Sequence, residues 1–131
     1  MKPSTRMRNT EMARGDWITL SIAEQLANVG SEYEHALRWK ERHDEEPFQH
    51  AFGRMMELLD LTIADPRWQN HRLKELTLLK EFIIDELCNE VRKYPDPRDL
   101  RKYFRWFASL ADKQQSEARD RQIAIRQSEL N

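Results

Sequence analysis

Residues 46–66 read E-P-F-Q-H-A-F-G-R-M-M-E-L-L-D-L-T-I-A-D-P, and the fold is decided there. Pro47 falls in a first helical turn, where its missing N–H costs nothing, and Asp65-Pro66 closes the segment. Between these stops Phe48, Phe52, Met55, Leu59 and Thr62/Ile63 recur at steps of three and four, and Ala51, Met56 and Leu58 widen the stripe. Such spacing puts the apolar residues on one side of an α-helix and predicts a broad buried face.

Upstream, His43-Asp44-Glu45-Glu46-Pro47 is a short polar connection, so the helix before it must lie antiparallel to the central one. That first helix is predicted from Ser21 to Arg42, roughly 33 Å long. Ser21-Ile22-Ala23-Glu24 forms a capping box, and Ile22, Leu26, Val29, Tyr33 and Ala36/Leu37 line one face. Trp17 and Ile18 are expected to staple its start. Gly30, which costs about 1 kcal/mol inside a helix, marks a close approach of another helix. Residues 1–15 lack periodicity and are expected to form a disordered arm.

Downstream, a third helix is predicted from about Asn70 to Lys93, with Leu73, Leu76, Leu79, Phe82/Ile83, Leu87 and Val91 at helical spacing. Leu78, Ile84 and Cys88 widen its apolar arc, which implies either a central place in the bundle or a face for a second chain. Tyr94-Pro95-Asp96-Pro97 ends it, with Asp96 capping a fourth helix that carries Leu100, Tyr103/Phe104, Phe107 and Leu110/Ala111, and Trp106 on a flank. After Asp112 the apolar face thins. The expectation is an all-α, four-helix, mostly antiparallel up-and-down bundle over residues 16–112, with a flexible N-terminal arm and a polar, helical C-terminal tail over 113–131.

Composition agrees. The chain has 131 residues, 39% hydrophobic and 34% charged, with three glycines, as amphipathic helices require. Cys88 is the only cysteine, which excludes an internal disulfide. No apolar run approaches the roughly 18 residues of a membrane span, and no secretory signal opens the chain, so a soluble, cytoplasmic protein without membrane contact is expected. The formal charge of −1 is unevenly spread: residues 1–15 carry +3, residues 16–91 carry −8, and residues 92–106 carry +4.

Catalytic chemistry finds little support. The glycines at 15, 30 and 53 build no phosphate-cradling loop, and nucleophile-elbow and Walker patterns are absent. His35, His43, His50 and His71 show no H-E-x-x-H spacing, so neither a metal nor another cofactor is expected. The carboxylates Glu57, Asp60 and Asp65, and Asp85, Glu86 and Glu90, are read as solvated faces. The run from Arg92 to Phe107 mixes basic and aromatic residues, and Arg98, Arg101, Lys102 and Arg105 are the candidate RNA-binding residues, because guanidinium and ammonium groups neutralise phosphates.

The pair E-Y-E-H-A-L-R-W-K-E-R-H-D-E-E-P-F-Q-H-A-F-G-R-M-M-E-L-L-D-L-T-I resembles the opening helices of the HEPN superfamily. R-L-K-E-L-T-L-L-K-E-F and R-K-Y-P-D correspond to its third helix and following loop. The resemblance implies a partner of the nucleotidyltransferase type in a toxin–antitoxin-like module, or an RNA-cleaving protein carrying R-x4-6-H in its C-terminal half. No histidine follows His71, so that motif is missing where the family places it; Arg38 to His43 has the spacing, but at the end of the first helix. The expectation is a non-catalytic, homodimeric interaction or regulatory protein. The alternative is RNA binding or cleavage through Arg98, Arg101, Lys102 and Arg105, with Arg38 and His43 as the catalytic pair.

Overall fold

The computed structural model describes residues 15–89 and 100–130. Four main helices account for most of them: α1 (Ile22–Glu41), α2 (Glu45–Ile63), α3 (Leu73–Cys88) and α4 (Leu100–Leu130). A 3₁₀ turn, Pro66–Trp68, links α2 to α3. The fold is an all-α, up-and-down bundle. The N-terminal arm, the Asp96-Pro97 helix start and Arg98 lie outside the described residues.

α1 begins as its sequence dictates. The Glu24 amide donates to Ser21 Oγ at 3.1 Å while the Ser21 amide donates to Glu24 Oε1 at 3.0 Å, closing the capping box. The same Ser21 hydroxyl donates to Gln114 Oε1 at 2.9 Å, tying the start of α1 to α4. The staple is different from the one expected. Trp17 is buried, but against α2, its indole N–H donating to Thr62 Oγ1 at 3.0 Å, while Ile18 points outward. An indole placed in a core takes the site where its N–H finds an acceptor, and Ile18 carries no such requirement.

The α1–α2 connection is a Schellman turn. The His43 amide donates to Lys40 O at 3.0 Å and the Asp44 amide to Trp39 O at 3.1 Å, with His43 in the left-handed region at φ 56°. Glycine occupies that conformation at lower cost than any side chain with a Cβ. His43→Gly is therefore expected to raise stability by about 0.5–1 kcal/mol, measured as a higher urea midpoint at unchanged slope; a lowered midpoint would show that the imidazole makes a stabilising contact.

α1 packs on both α2 and α4, and α2 on α3. The central place, one of the two alternatives for the third helix, belongs instead to α1, whose Leu26, Val29 and Ala36 are fully buried. Two neighbours flank α1, so its apolar residues are covered over a wide arc. α3 contributes Leu76, Leu79 and Ile83 to the core but leaves Leu73 and Leu78 at the surface. It is also shorter than expected: Asn89 is already extended, with ψ 131°.

α4 is the longest element, with 31 residues. Leu100, Phe104, Phe107 and Ala111 are buried against the bundle, and every residue from Asp112 to Leu130 is exposed. Gln114 and Gln115 still meet the start of α1, so the helix projects beyond the bundle only after Gln115, by roughly 22 Å at about 1.5 Å per residue.

Candidate interaction surface

The seam between α3 and α4 is open. Where α1 meets α4 the backbones come close at Gly30, but α3 and α4 approach each other less closely, and a groove of about 1040 Å³ lies between them. Its walls are apolar: Leu78, Leu79 and Phe82 from α3, Leu100, Trp106 and Phe107 from α4. Trp106 is 62% exposed. Its ring meets Phe107 edge-on at 4.8 Å, so the indole is held in place at the lip of the groove. Lys74 and Lys102 stand on the rim.

A polar bridge crosses the seam. The Tyr103 hydroxyl donates to Glu75 Oε2 at 2.7 Å, and Glu75 also pairs with Arg72 at 3.1 Å. Burial and the adjacent Glu75 carboxylate push the Tyr103 phenol well above its ordinary range, so it remains a neutral donor. Tyr33 does the same on the other side of the core, donating to Glu86 Oε1, with its phenol raised by burial and by that carboxylate. Both tyrosines fix helix positions rather than offering acid–base chemistry near neutral pH.

A second polar assembly lies where the start of α1 meets the α2–α3 link. Gln25, fully buried, donates through Nε2 to Trp17 O at 2.8 Å and to Asp65 Oδ2 at 2.9 Å, and its Oε1 accepts from Trp68 Nε1 at 2.8 Å. Asp65 is bound by Arg67, whose Nη2 reaches Oδ2 at 2.7 Å and also Leu20 O at 2.7 Å. The Arg67 hydrogen bonds hold the Asp65 carboxyl down to about 2. Every polar atom of the Gln25 amide is engaged, so this is a satisfied structural cluster. Nothing in the apolar periodicity announced it, because Gln25 sits between two apolar stripe positions and its side-chain partners Asp65 and Trp68 are 40 and 43 residues away.

Among the described residues, the candidates from the sequence point in different directions. Arg101 is drawn toward α1, where its guanidinium donates to Glu34 at 3.1 Å and is held even more strongly protonated by that carboxylate. Lys102 turns the other way, into the rim of the α3–α4 groove. Arg105 is exposed one turn beyond Arg101. Arg38 is exposed near the end of α1, and His43 occupies the turn itself, beside a small depression that also includes Trp39, Phe48 and Cys88. Burial raises the Cys88 thiol above its ordinary value, the opposite of an activated nucleophile.

Glu32 and His35 have the Glu-x-x-His spacing of di-metal bundles, but on the outside of the pair: His35 is exposed, 3.6 Å from Glu32, which also meets Arg54 at 3.4 Å. Among the described residues no three His, Cys, Asp or Glu side chains gather as a metal site would require. Within the same residues no helix is long and apolar enough to cross a membrane.

No family model, curated protein or solved structure matches this chain. The α3–α4 groove is therefore argued from its own geometry. Its signals in the sequence were the excess apolar width of α3 at Leu78 and the position of Trp106 on a flank; Lys74 carried no signal at all.

Proposed function

We propose that this chain is a non-catalytic helical interaction protein whose binding surface is the open α3–α4 seam together with the projecting half of α4. The observation that carries the proposal is Trp106, an aromatic side chain 62% exposed at the lip of an apolar groove. Exposed aromatics in such settings are the usual anchors of protein interfaces, because a large rigid ring gains much burial for little loss of conformational freedom. The HEPN-like resemblance supplies the partner class: a regulatory homodimer acting with a nucleotidyltransferase-like protein.

RNA binding is the second reading, and the same tryptophan favours it. Lys102 lies one turn before Trp106 on α4 and lines the same groove, which combines an aromatic face with a cation as single-strand platforms do. Glu34 acts against it by occupying Arg101.

One experiment separates these readings. A photocrosslinking amino acid at position 106 of the full chain, activated in cells of its native host, is expected to yield a protein adduct, while the same probe at exposed Glu41 yields none. A ribonuclease-sensitive adduct would transfer the surface to RNA. No adduct at 106, with the chain folded, would remove the interaction reading.

A further inference from the structure

We infer that α3 is a lid, which swings as a unit on its α2 side and is latched to the rest of the bundle by two phenol–carboxylate hydrogen bonds. The inference concerns the motion of the chain itself and stands apart from any partner.

The helices are not equally attached. The α1 backbone lies close to both α2 and α4, with Gly30 against Phe104. The α3 backbone comes close to α2 but keeps further from α1 and α4, and the groove of about 1040 Å³ lies on its α4 side. Long side chains therefore make much of the connection from α3 to α1 and α4.

Those side chains sort by flank. Leu76, Leu79, Ile83 and Leu87 form the buried stripe of α3. On one side of the stripe Lys80 Nζ donates to Asp60 Oδ1 of α2 at 2.8 Å. On the other side Glu75 accepts from the Tyr103 hydroxyl of α4 at 2.7 Å, and Glu86 accepts from the Tyr33 hydroxyl of α1. Glu75 and Glu86 are about three helical turns apart, which returns them to the same flank, one near each end of the helix. Lys40 Nζ adds a bond to Glu86 O at 2.7 Å. Phe104 lies between the two phenol rings, 5.3 Å from Tyr33 and 5.5 Å from Tyr103, and so fixes where both hydroxyls stand.

The start of α3 is the weaker end. Arg72 makes no side-chain capping bond there, and Leu73, Lys74, Thr77 and Leu78 are exposed, which leaves Leu76 and Leu79 as the buried residues of the first half. Elements with few buried contacts open in cooperative units below the free energy of global unfolding. Opening of α3 uncovers Leu76 and Leu79 on the lid and Phe104 and Phe107 on the frame, while the α1–α2 and α1–α4 contacts remain.

Native-state hydrogen exchange of the full chain, read by mass spectrometry in urea below the unfolding midpoint, tests the lid. Amides of α3 are expected to exchange faster, and with a weaker urea dependence, than the buried amides of α1, α2 and Leu100–Ala111. Tyr103→Phe, which keeps the ring and removes the latch, is expected to speed α3 at least about tenfold, the loss of one hydrogen bond to a charged acceptor. Arg54, which pairs with Glu32 of α1, supplies the discriminating variant. Arg54→Gly is expected to speed the slowest amides of α1 and α2 about fivefold and to leave α3 unchanged, because α2 stays folded when the lid opens. Exchange of α3 at the rate and urea dependence of α1 and α2, with Arg54→Gly speeding all of them alike, overturns the lid. An α3 rate unmoved by Tyr103→Phe overturns the latch. Neither outcome bears on the adduct at position 106, so the lid and the interaction reading fail separately.

Discussion

Gly30→Val is expected to destabilise the bundle by about 3 kcal/mol, close to the limit for an overpacked core position. An added Cβ at residue 30 would stand 2.7 Å from Phe104 Cβ and 2.8 Å from Phe104 Cγ. Those atoms are near the α4 backbone and cannot swing aside as the end of a flexible side chain would, so relief requires α1 and α4 to separate. Alanine tests the balance more finely. It gains about 1 kcal/mol of helix propensity but meets the same contact, and a net loss of about 1 kcal/mol is expected. Urea unfolding followed by circular dichroism reads both changes. Gly30→Ala combined with Phe104→Ala, which removes the Cγ and Cδ1 atoms of the clash, should be less destabilising than the two single changes summed, because both act on one contact. A more stable Gly30→Ala variant would mean that α1 and α4 do not touch there.

Asp65→Ala is expected to cost about 3 kcal/mol. The carboxylate is 1% exposed, accepts from Gln25 and Arg67, and caps the 3₁₀ turn by accepting from the Arg67 amide at 3.0 Å. Removing it leaves Arg67 beside Leu20 without its counter-charge and one Gln25 N–H without an acceptor. The pH dependence has a definite sign. In the folded chain the carboxyl is held at about 2, below its ordinary 3.8, so on acidification the unfolded chain binds the proton first. Asp65 therefore contributes stability that is complete above about pH 4 and is lost as the pH falls through 2, about 2 kcal/mol in total. Asp65→Asn keeps the shape and removes the charge. Its stability, measured by urea unfolding at pH values from 5 to 2, should lack that share of the decline. Parallel curves for the two proteins would show that Asp65 is not held by Arg67.

Local signals located the helices and the boundaries of the first two. The Ser21–Glu24 capping box, Pro47 in the first turn of α2 and the Asp65-Pro66 stop act within four residues of one another, and each appears in the structure where the residue types require it. Gly30 was legible as a site of close approach because a helix tolerates glycine only at a cost. Its neighbour, Phe104, was not legible, since nothing local relates positions 74 residues apart.

The candidate site was less legible. Periodicity separates apolar from polar faces but does not say which apolar residue finds a neighbour. Trp106 reads as a flank residue and Leu78 as the edge of a widened arc, and both are exposed because α3 and α4 stand apart. Conversely, Gln25 and Asp65 look like surface polar residues and are buried, because three segments converge to satisfy their hydrogen bonds. The basic residues of α4 were grouped by sequence proximity, yet successive positions on a helix differ by about 100°, which sends Arg101 toward Glu34 and Lys102 into the groove.

The sequence by itself determined the class of fold, the number and order of the helices and their antiparallel succession, because amphipathic spacing, caps and short connections are local properties of the backbone. Only the tertiary structure decided that α1 rather than α3 is central and that the α3–α4 seam stays open. Those outcomes depend on how closely helix backbones approach, which is set by the pairing of residues far apart in the chain, such as Gly30 with Phe104.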